Sequence, residues 1–204
     1  EGAIPKVNKL GGSDWSKVKA RVKEKIHDIA DKLLKLYAMR EMQQGFAFSK
    51  DNDLQRKFDD SFEFVETKDQ ILAINQIKED MESSHPMDRL LCGDVGYGKT
   101  EVAFRTIFKA VMDSKQVLYL CPTTILSNQQ YKNALERFRE FPINIGLLNR
   151  FTTPKEKKRI IEELKDGTID LVFGTHRLLS DDVKPKVLGL LIIDEEQRFG
   201  VTHK

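Results

Sequence analysis

The chain has 204 residues, with 34 Lys and Arg against 32 Asp and Glu, a formal net charge of +2, and 40% hydrophobic against 32% charged residues. This fits one substantial core with a small appendage and excludes a uniformly basic nucleic-acid binder, so any nucleic-acid surface must be a local patch. No apolar run approaches the roughly 20 residues that cross a bilayer, and the start lacks the basic-then-apolar layout of a signal peptide, which predicts a cytoplasmic protein without a membrane partner.

Residues 1 to 12 contain Pro5, Gly11 and Gly12 without periodicity and read as an extended lead-in. Ser13 or Asp14 can cap a helix reaching about Gln44, with Val18, Val22, Ile26, Ile29, Leu33 and Leu36 or Tyr37 on one stripe and Gly45 as its stop. Such a stripe must dock, either on the main domain or on an element outside the chain. The same helix carries Lys17, Lys19, Arg21, Lys23 and Lys25 against the single acid Glu24, which is either a solvated face or a binding surface. Phe46 to Asp60 reads as a connector with a short helix near Leu54 to Phe58. Residues 1–60 therefore form lead-in, linker helix and connector, and residues 61–204 the globular domain.

Phe62 to Val65 precede Thr67-Lys68-Asp69-Gln70, after which Ile71, Ile74, Ile77 and Met81 recur at helical spacing toward Glu82. Thr67 with Gln70 is a capping-box pair, which gives Gln70 a purely structural reading beside any functional one. Arg89-Leu90-Leu91-Cys92 is a short apolar run that predicts a buried parallel strand. It leads into Gly93-Asp94-Val95-Gly96-Tyr97-Gly98-Lys99-Thr100, which fits the phosphate-loop pattern G-x-x-x-x-G-K-[ST] at every specified position. Glycines there let backbone N–H groups turn onto phosphates, Lys99 reaches the outer phosphates, and the Thr100 hydroxyl suits a magnesium ion. A helix should open here with its positive end toward the anion, Glu101 in its first turn, and Val102, Ala103, Phe104, Ile107, Ala110 and Val111 on its apolar face. Strand, loop and helix in that order argue against a glycine-rich turn without a ligand, and nominate ATP or GTP.

Strands and helices then alternate: strand Val117 to Cys121, helix Thr124 to about Glu140, and strand Asn144 to Leu148. Thr153-Pro154-Lys155-Glu156 opens another helix in capping-box form and Gly167 ends it, followed by strands Ile169 to Phe173 and Leu190 to Ile193. The pattern predicts an α/β fold, a parallel sheet covered by helices on both faces, with ligands at the carboxyl ends of the strands. The run Leu188 to Ile193 closes on Asp194-Glu195-Glu196. Asp194 is assigned to the magnesium shell and Glu195 to orienting and deprotonating the attacking water, because phosphoryl transfer needs both jobs done. A solvated acidic turn is the alternative. Cys92 and Cys121 lack C-x-x-C spacing and read as buried free thiols.

With these residues in view the chain resembles the superfamily 2 helicases and translocases, and among them the bacterial transcription-repair coupling factors. The resemblance rests on Gly93 to Thr100, Pro122 to Leu126, Gly174 to Leu179 and Asp194 to Val201, with Lys9 to Trp15 and the long helix similar to the coupling factors in particular. It implies a RecA-like motor lobe in which Gln70 reads the adenine edge and Phe62 or Phe64 packs on its face, selecting ATP over GTP. It implies that Pro122, Thr123, Thr124, Gly174, Thr175 and His176 hold the DNA phosphodiester backbone, with Arg150 as an added contact or an ordinary surface arginine. Gln197 stands where many relatives carry a histidine that couples nucleotide and DNA sites, and glutamine can still donate and accept hydrogen bonds.

The implied cofactors are ATP and Mg2+, and the implied partner is double-stranded DNA. RNA polymerase and excision-repair proteins would be reached through modules outside the chain. The resemblance also implies a second motor lobe, to which nothing here is similar, so the chain reads as a first lobe with its preceding helix. The isolated chain is expected to bind nucleotide with negligible turnover. A replication-fork helicase lobe shares the motor motifs; a P-loop kinase or GTPase is disfavoured because no N-K-x-D-like run is present; a nucleotide-binding docking piece is a further reading.

Overall fold

The structure, a computed structural model, describes residues 13–195, apart from the side chains of residues 13–16, 40 and 41. The lead-in over residues 1–12 thus lies outside the described residues. The chain divides into two compact units, residues 1–45 and 46–204. In the first, helix α1 runs Ser13–Glu41, ending earlier than Gln44. Its apolar stripe is exposed, from 43% at Leu36 to 61% at Ile26. The basic positions from Lys17 to Lys25 are exposed as well. Among the described residues no helix is long and apolar enough to cross a membrane.

The second unit is built on a four-stranded sheet of order β2-β3-β1-β4, comprising β1 (Gln116–Leu120), β2 (Ile145–Leu148), β3 (Leu171–Gly174) and β4 (Leu188–Ile193). All pairings are parallel, with Leu120 level with both Gly174 and Ile193 and Leu148 level with Gly174. The carboxyl ends of all four strands therefore lie along one rim. The strands match the predicted ones to within a residue or two.

Strand alternation sorts the core into two faces. Val117, Tyr119, Leu171, Phe173 and Leu190 turn to one side and pack with α3 (Lys68–Glu82), α4 (Lys99–Met112) and α5 (Thr124–Arg137). Leu118, Leu120, Leu148 and Val172 turn to the other, onto Ile160 and Leu164 of α6 (Pro154–Asp166). Helix α6 starts where predicted, with Pro154 in its first turn and Thr153 accepting from Glu156 N, although the Glu156 carboxylate pairs with Arg159 and does not close the capping box, and it ends on Gly167 at φ 89°. A short helix α2 (Asp53–Asp60) sits within the predicted connector. It delivers Phe58 into an aromatic stack, with ring centroids 4.3 Å from Phe108 and 5.1 Å from Phe138. Burying rings of this size contributes about 2 kcal/mol each.

Two expectations fail at one place. Arg89 to Cys92 form no strand, with Leu90 75% exposed. Cys92 is exposed too, and only Cys121 is buried, both as free thiols. The apolar run is local, but a strand exists only through bonds to a neighbour, and among the described residues β4 pairs with β1 alone. In consequence Leu188, Leu191 and Ile193 of β4 remain exposed.

Candidate functional site

The phosphate loop leads into α4 through two residues whose backbone glycine alone takes readily, Gly96 at φ 82° and Gly98 at φ 76°. Gly98 is also the N-cap residue of α4, and a Cβ there would stand 2.1 Å from the Gln70 Nε2 atom. Lys99 folds over the loop and donates to Gly93 O at 2.6 Å and Asp94 O at 2.7 Å. Carbonyl oxygens hold that ammonium where phosphate oxygens can replace them.

Helix α3 meets the loop at its first turn. Thr67 and Gln70 complete the capping box: Gln70 N donates to Thr67 Oγ1, and Thr67 N donates to Gln70 Oε1 at 2.7 Å. Gln70 Nε2 then donates to Tyr97 O at 2.7 Å, and the Tyr97 hydroxyl donates to Asp69 Oδ2 at 2.5 Å. The Asp69 carboxylate beside it pushes the Tyr97 hydroxyl above its ordinary range. The structural reading of Gln70 holds, and the same side chain also touches the loop. A cavity of about 570 Å³ opens here, lined by Asp69, Gln70, Gly93, Asp94, Tyr97 and Lys99 together with Ala73, Leu91, Cys92 and Val102.

The other predicted nucleotide residues stand apart from that lining. Val95 is fully exposed, and Phe64 is 72% exposed with its ring edge-on to Phe62 at 5.5 Å. Phe62 is half-buried, with the guanidinium groups of Arg105 and Arg137 at 5.5 and 5.8 Å from its ring. The Glu101 carboxylate is buried and accepts from Arg105 Nε at 2.9 Å and from Arg137 Nη2 at 2.8 Å. It therefore braces α4 against α5. Thr100 is half-buried in the first turn of α4.

Asp194 follows β4, its N–H donating to Leu120 O at 2.8 Å. Its Oδ2 accepts from the Tyr119 hydroxyl and from Gln130 Nε2, each at 3.3 Å. Burial, reinforced by the Glu195 charge, pushes its carboxyl above the ordinary aspartate range, and burial pushes up the Tyr119 hydroxyl and the Cys121 thiol too. Glu195 takes φ 49°, a left-handed conformation rare outside glycine and asparagine. Tyr119 and Gln130 escape sequence reading because nothing local marks them; only sheet pairing brings β1 and α5 to Asp194. Among the described residues no group of three or more His, Cys, Asp or Glu could hold a metal. A hydroxyl and one carboxylate, Thr100 and Asp194, do suit Mg2+, which takes its remaining ligands from phosphates and water.

The DNA-facing candidates fall on the same rim. Arg150 follows β2 and is exposed, Gly174 ends β3 with Thr175 and His176 after it, and Pro122, Thr123 and Thr124 follow β1. In sheet order these three groups are adjacent, and Asp194 and Glu195 come fourth. Thr123 caps α5, its Oγ1 accepting from Leu126 N at 3.2 Å. Gly174 is closely packed, since a Cβ would stand 2.5 Å from Leu148 O. Thr175 is buried and His176 exposed. Gln197, the predicted coupling residue, lies outside the described residues.

A DEAD/DEAH box helicase family model matches residues 67–204, from the α3 cap through both phosphate-site motifs. The chain belongs to the DEAD/DEAH box helicase family. As a domain of that family it is a nucleotide-binding domain. It is 62% identical over all 204 residues to the transcription-repair-coupling factor of Bacillus subtilis strain 168, of which it spans 17%. It is 56% identical over the same length to that of Staphylococcus aureus strain USA300, spanning 18%. Among solved structures it is similar to RecG bound to a three-way DNA junction, with a TM-score of 0.76, 42% identity, and coverage of 81% of this chain and 23% of that one. The chain therefore spans under a fifth of each coupling factor, and the helicase match leaves out α1 and α2, which the coupling factors cover.

Proposed function

We propose that this chain is the ATP-binding first motor lobe of a double-stranded DNA translocase that displaces stalled RNA polymerase and couples transcription to nucleotide excision repair. The carrying observation is that the coupling factors match the chain over its whole length, α1 included, at up to 62% identity. Lys99 exchanges loop carbonyls for the outer phosphates, Gln70 reads adenine, and Glu195 orients the attacking water. Mg2+, held by Thr100 and Asp194, would neutralise charge developing on the phosphates. Pro122 to Thr124 and Gly174 to His176, with Arg150, grip the phosphodiester backbone beside that site, so closure of a second lobe on ATP would shift the grip along DNA. RNA polymerase and repair proteins would be engaged by other parts of a longer protein.

Titration calorimetry of the chain with MgATP, with GTP and Gln70→Ala as controls, tests the nucleotide assignment. ATP preferred over GTP, with weaker binding in the variant, is the expected result; equal binding of both nucleotides defeats adenine reading. In the longer protein Lys99→Ala should abolish translocation, and retained movement would overturn the motor role. Turnover by the chain alone should be negligible; steady hydrolysis lost in Glu195→Gln would show otherwise. A fork-remodelling helicase lobe is the second reading, and the similarity to RecG, at 42% identity over 81% of this chain, supports it less than the coupling-factor matches support the first. It requires preference for branched DNA and independence from RNA polymerase.

A further inference from the structure

Gln70 is held by both ends of its amide, yet each end keeps capacity to spare. Its Oε1 accepts from Thr67 N and retains a second lone pair, and its Nε2 donates to Tyr97 O and retains a second hydrogen. One donor and one acceptor in a fixed plane, on the wall of the cavity that also contains Lys99, form the pair that an adenine edge requires. What fixes the plane is Tyr97. This residue is tied at its backbone to Gln70 and at its hydroxyl, 2.5 Å away, to Asp69, the residue preceding Gln70 in the same helical turn. Its ring lies against Gly93, where a Cβ would come within 3.1 Å, so a side chain at the first loop position would displace it.

We propose that Asp69 and Tyr97 are positioning residues for base selection, a clasp that locks the phosphate loop to the first turn of α3 and thereby presents the Gln70 amide already oriented for adenine. The inference rests on the nucleotide reading above and adds residues that neither the loop pattern nor the capping box singles out. Its physical basis is preorganisation: an amide whose rotamers are fixed before binding loses less freedom when the base arrives. Phosphate recognition by Lys99 and the loop N–H groups does not pass through that amide.

The test compares MgATP with magnesium tripolyphosphate, which carries the phosphates and no base, on wild type, Tyr97→Phe and Asp69→Asn. Tyr97→Phe keeps the ring on Gly93 and removes only the hydroxyl, and thermal unfolding of each variant checks the fold. The ratio of ATP to tripolyphosphate affinity should fall by about threefold in both variants. The ratio cancels the change in local charge that Asp69→Asn brings to the triphosphate. An unchanged or rising ratio, or equal losses for both ligands, overturns the clasp while leaving the nucleotide assignment intact. Failure of the wild type to bind ATP overturns that assignment and the clasp with it.

Discussion

At Asp194 burial works against the ionised carboxylate. Its carboxyl lies above the ordinary aspartate value of 3.8 because burial and the Glu195 charge disfavour its ionised form. The sign follows: the folded chain binds this proton more tightly than the unfolded chain, so the contribution to stability falls as pH rises from about 3.8 through the raised value. At neutral pH the ionised group is a net burden until a cation offsets it. Asp194→Asn should therefore raise the melting temperature of the metal-free chain by roughly 2 °C while removing the magnesium dependence of nucleotide binding. Differential scanning calorimetry with and without Mg2+ checks both, and a lower melting temperature without metal would contradict the burial argument.

Among the elements, α4 carries the heaviest load, since it begins at the phosphate loop and is buried along most of its length. Burial of its charged side chains is compensated by partners from other elements. The Lys109 side chain is 3% exposed, its Nζ lying 2.8 Å from Asp51 and 2.7 Å from Glu82, and Lys78 of α3 lies 2.6 Å from both Asp51 and Asp59. These bonds fasten the segment before α2 to α3 and α4. Burial alone would raise the Asp51 carboxyl, but the Lys109 and Lys78 ammonium groups overrule it and hold it below 3.8. Its stabilisation is thus full above pH 3.8 and is lost as pH falls through the lower folded value. Asp51→Asn should cost about 2 kcal/mol at pH 7 and flatten the acid limb of the stability curve. Urea unfolding from pH 7 to pH 2 measures this, and an unaltered acid limb would remove Asp51 from the account.

For the molecule as a whole, a net charge of +2 leaves little long-range attraction for DNA, so any affinity must be local, and the rim where the strands end is the place proposed for it. Arg150 is exposed there, its guanidinium 4.7 Å from the Phe151 ring. Arg177 nearby is already paired, 2.6 Å from Asp182. Arg150→Ala should weaken double-stranded DNA binding alike for all sequences and reduce the slope of log affinity against log salt by about 1. Filter binding across a salt series checks it; an unchanged slope would return Arg150 to the ordinary surface.

Much of this protein was legible before folding. The phosphate loop, the Thr67 and Gln70 capping box, and the Thr153 and Pro154 start with its Gly167 stop are set by contacts within a few residues, and such contacts leave their pattern in the sequence. Arg89 to Cys92 show the limit of that logic, because a short apolar run specifies a strand only when an edge pairs with it. Tyr119 and Gln130 against Asp194, 75 and 64 residues distant along the chain, and Tyr97 against Asp69, 28 residues distant, carry no local signature at all. Their partners are chosen by sheet order and helix packing. Sequence alone nominated the groups for phosphate and for a cation; the tertiary structure decided what surrounds them, because burial, charge compensation and side-chain orientation come from distant residues brought together by the core.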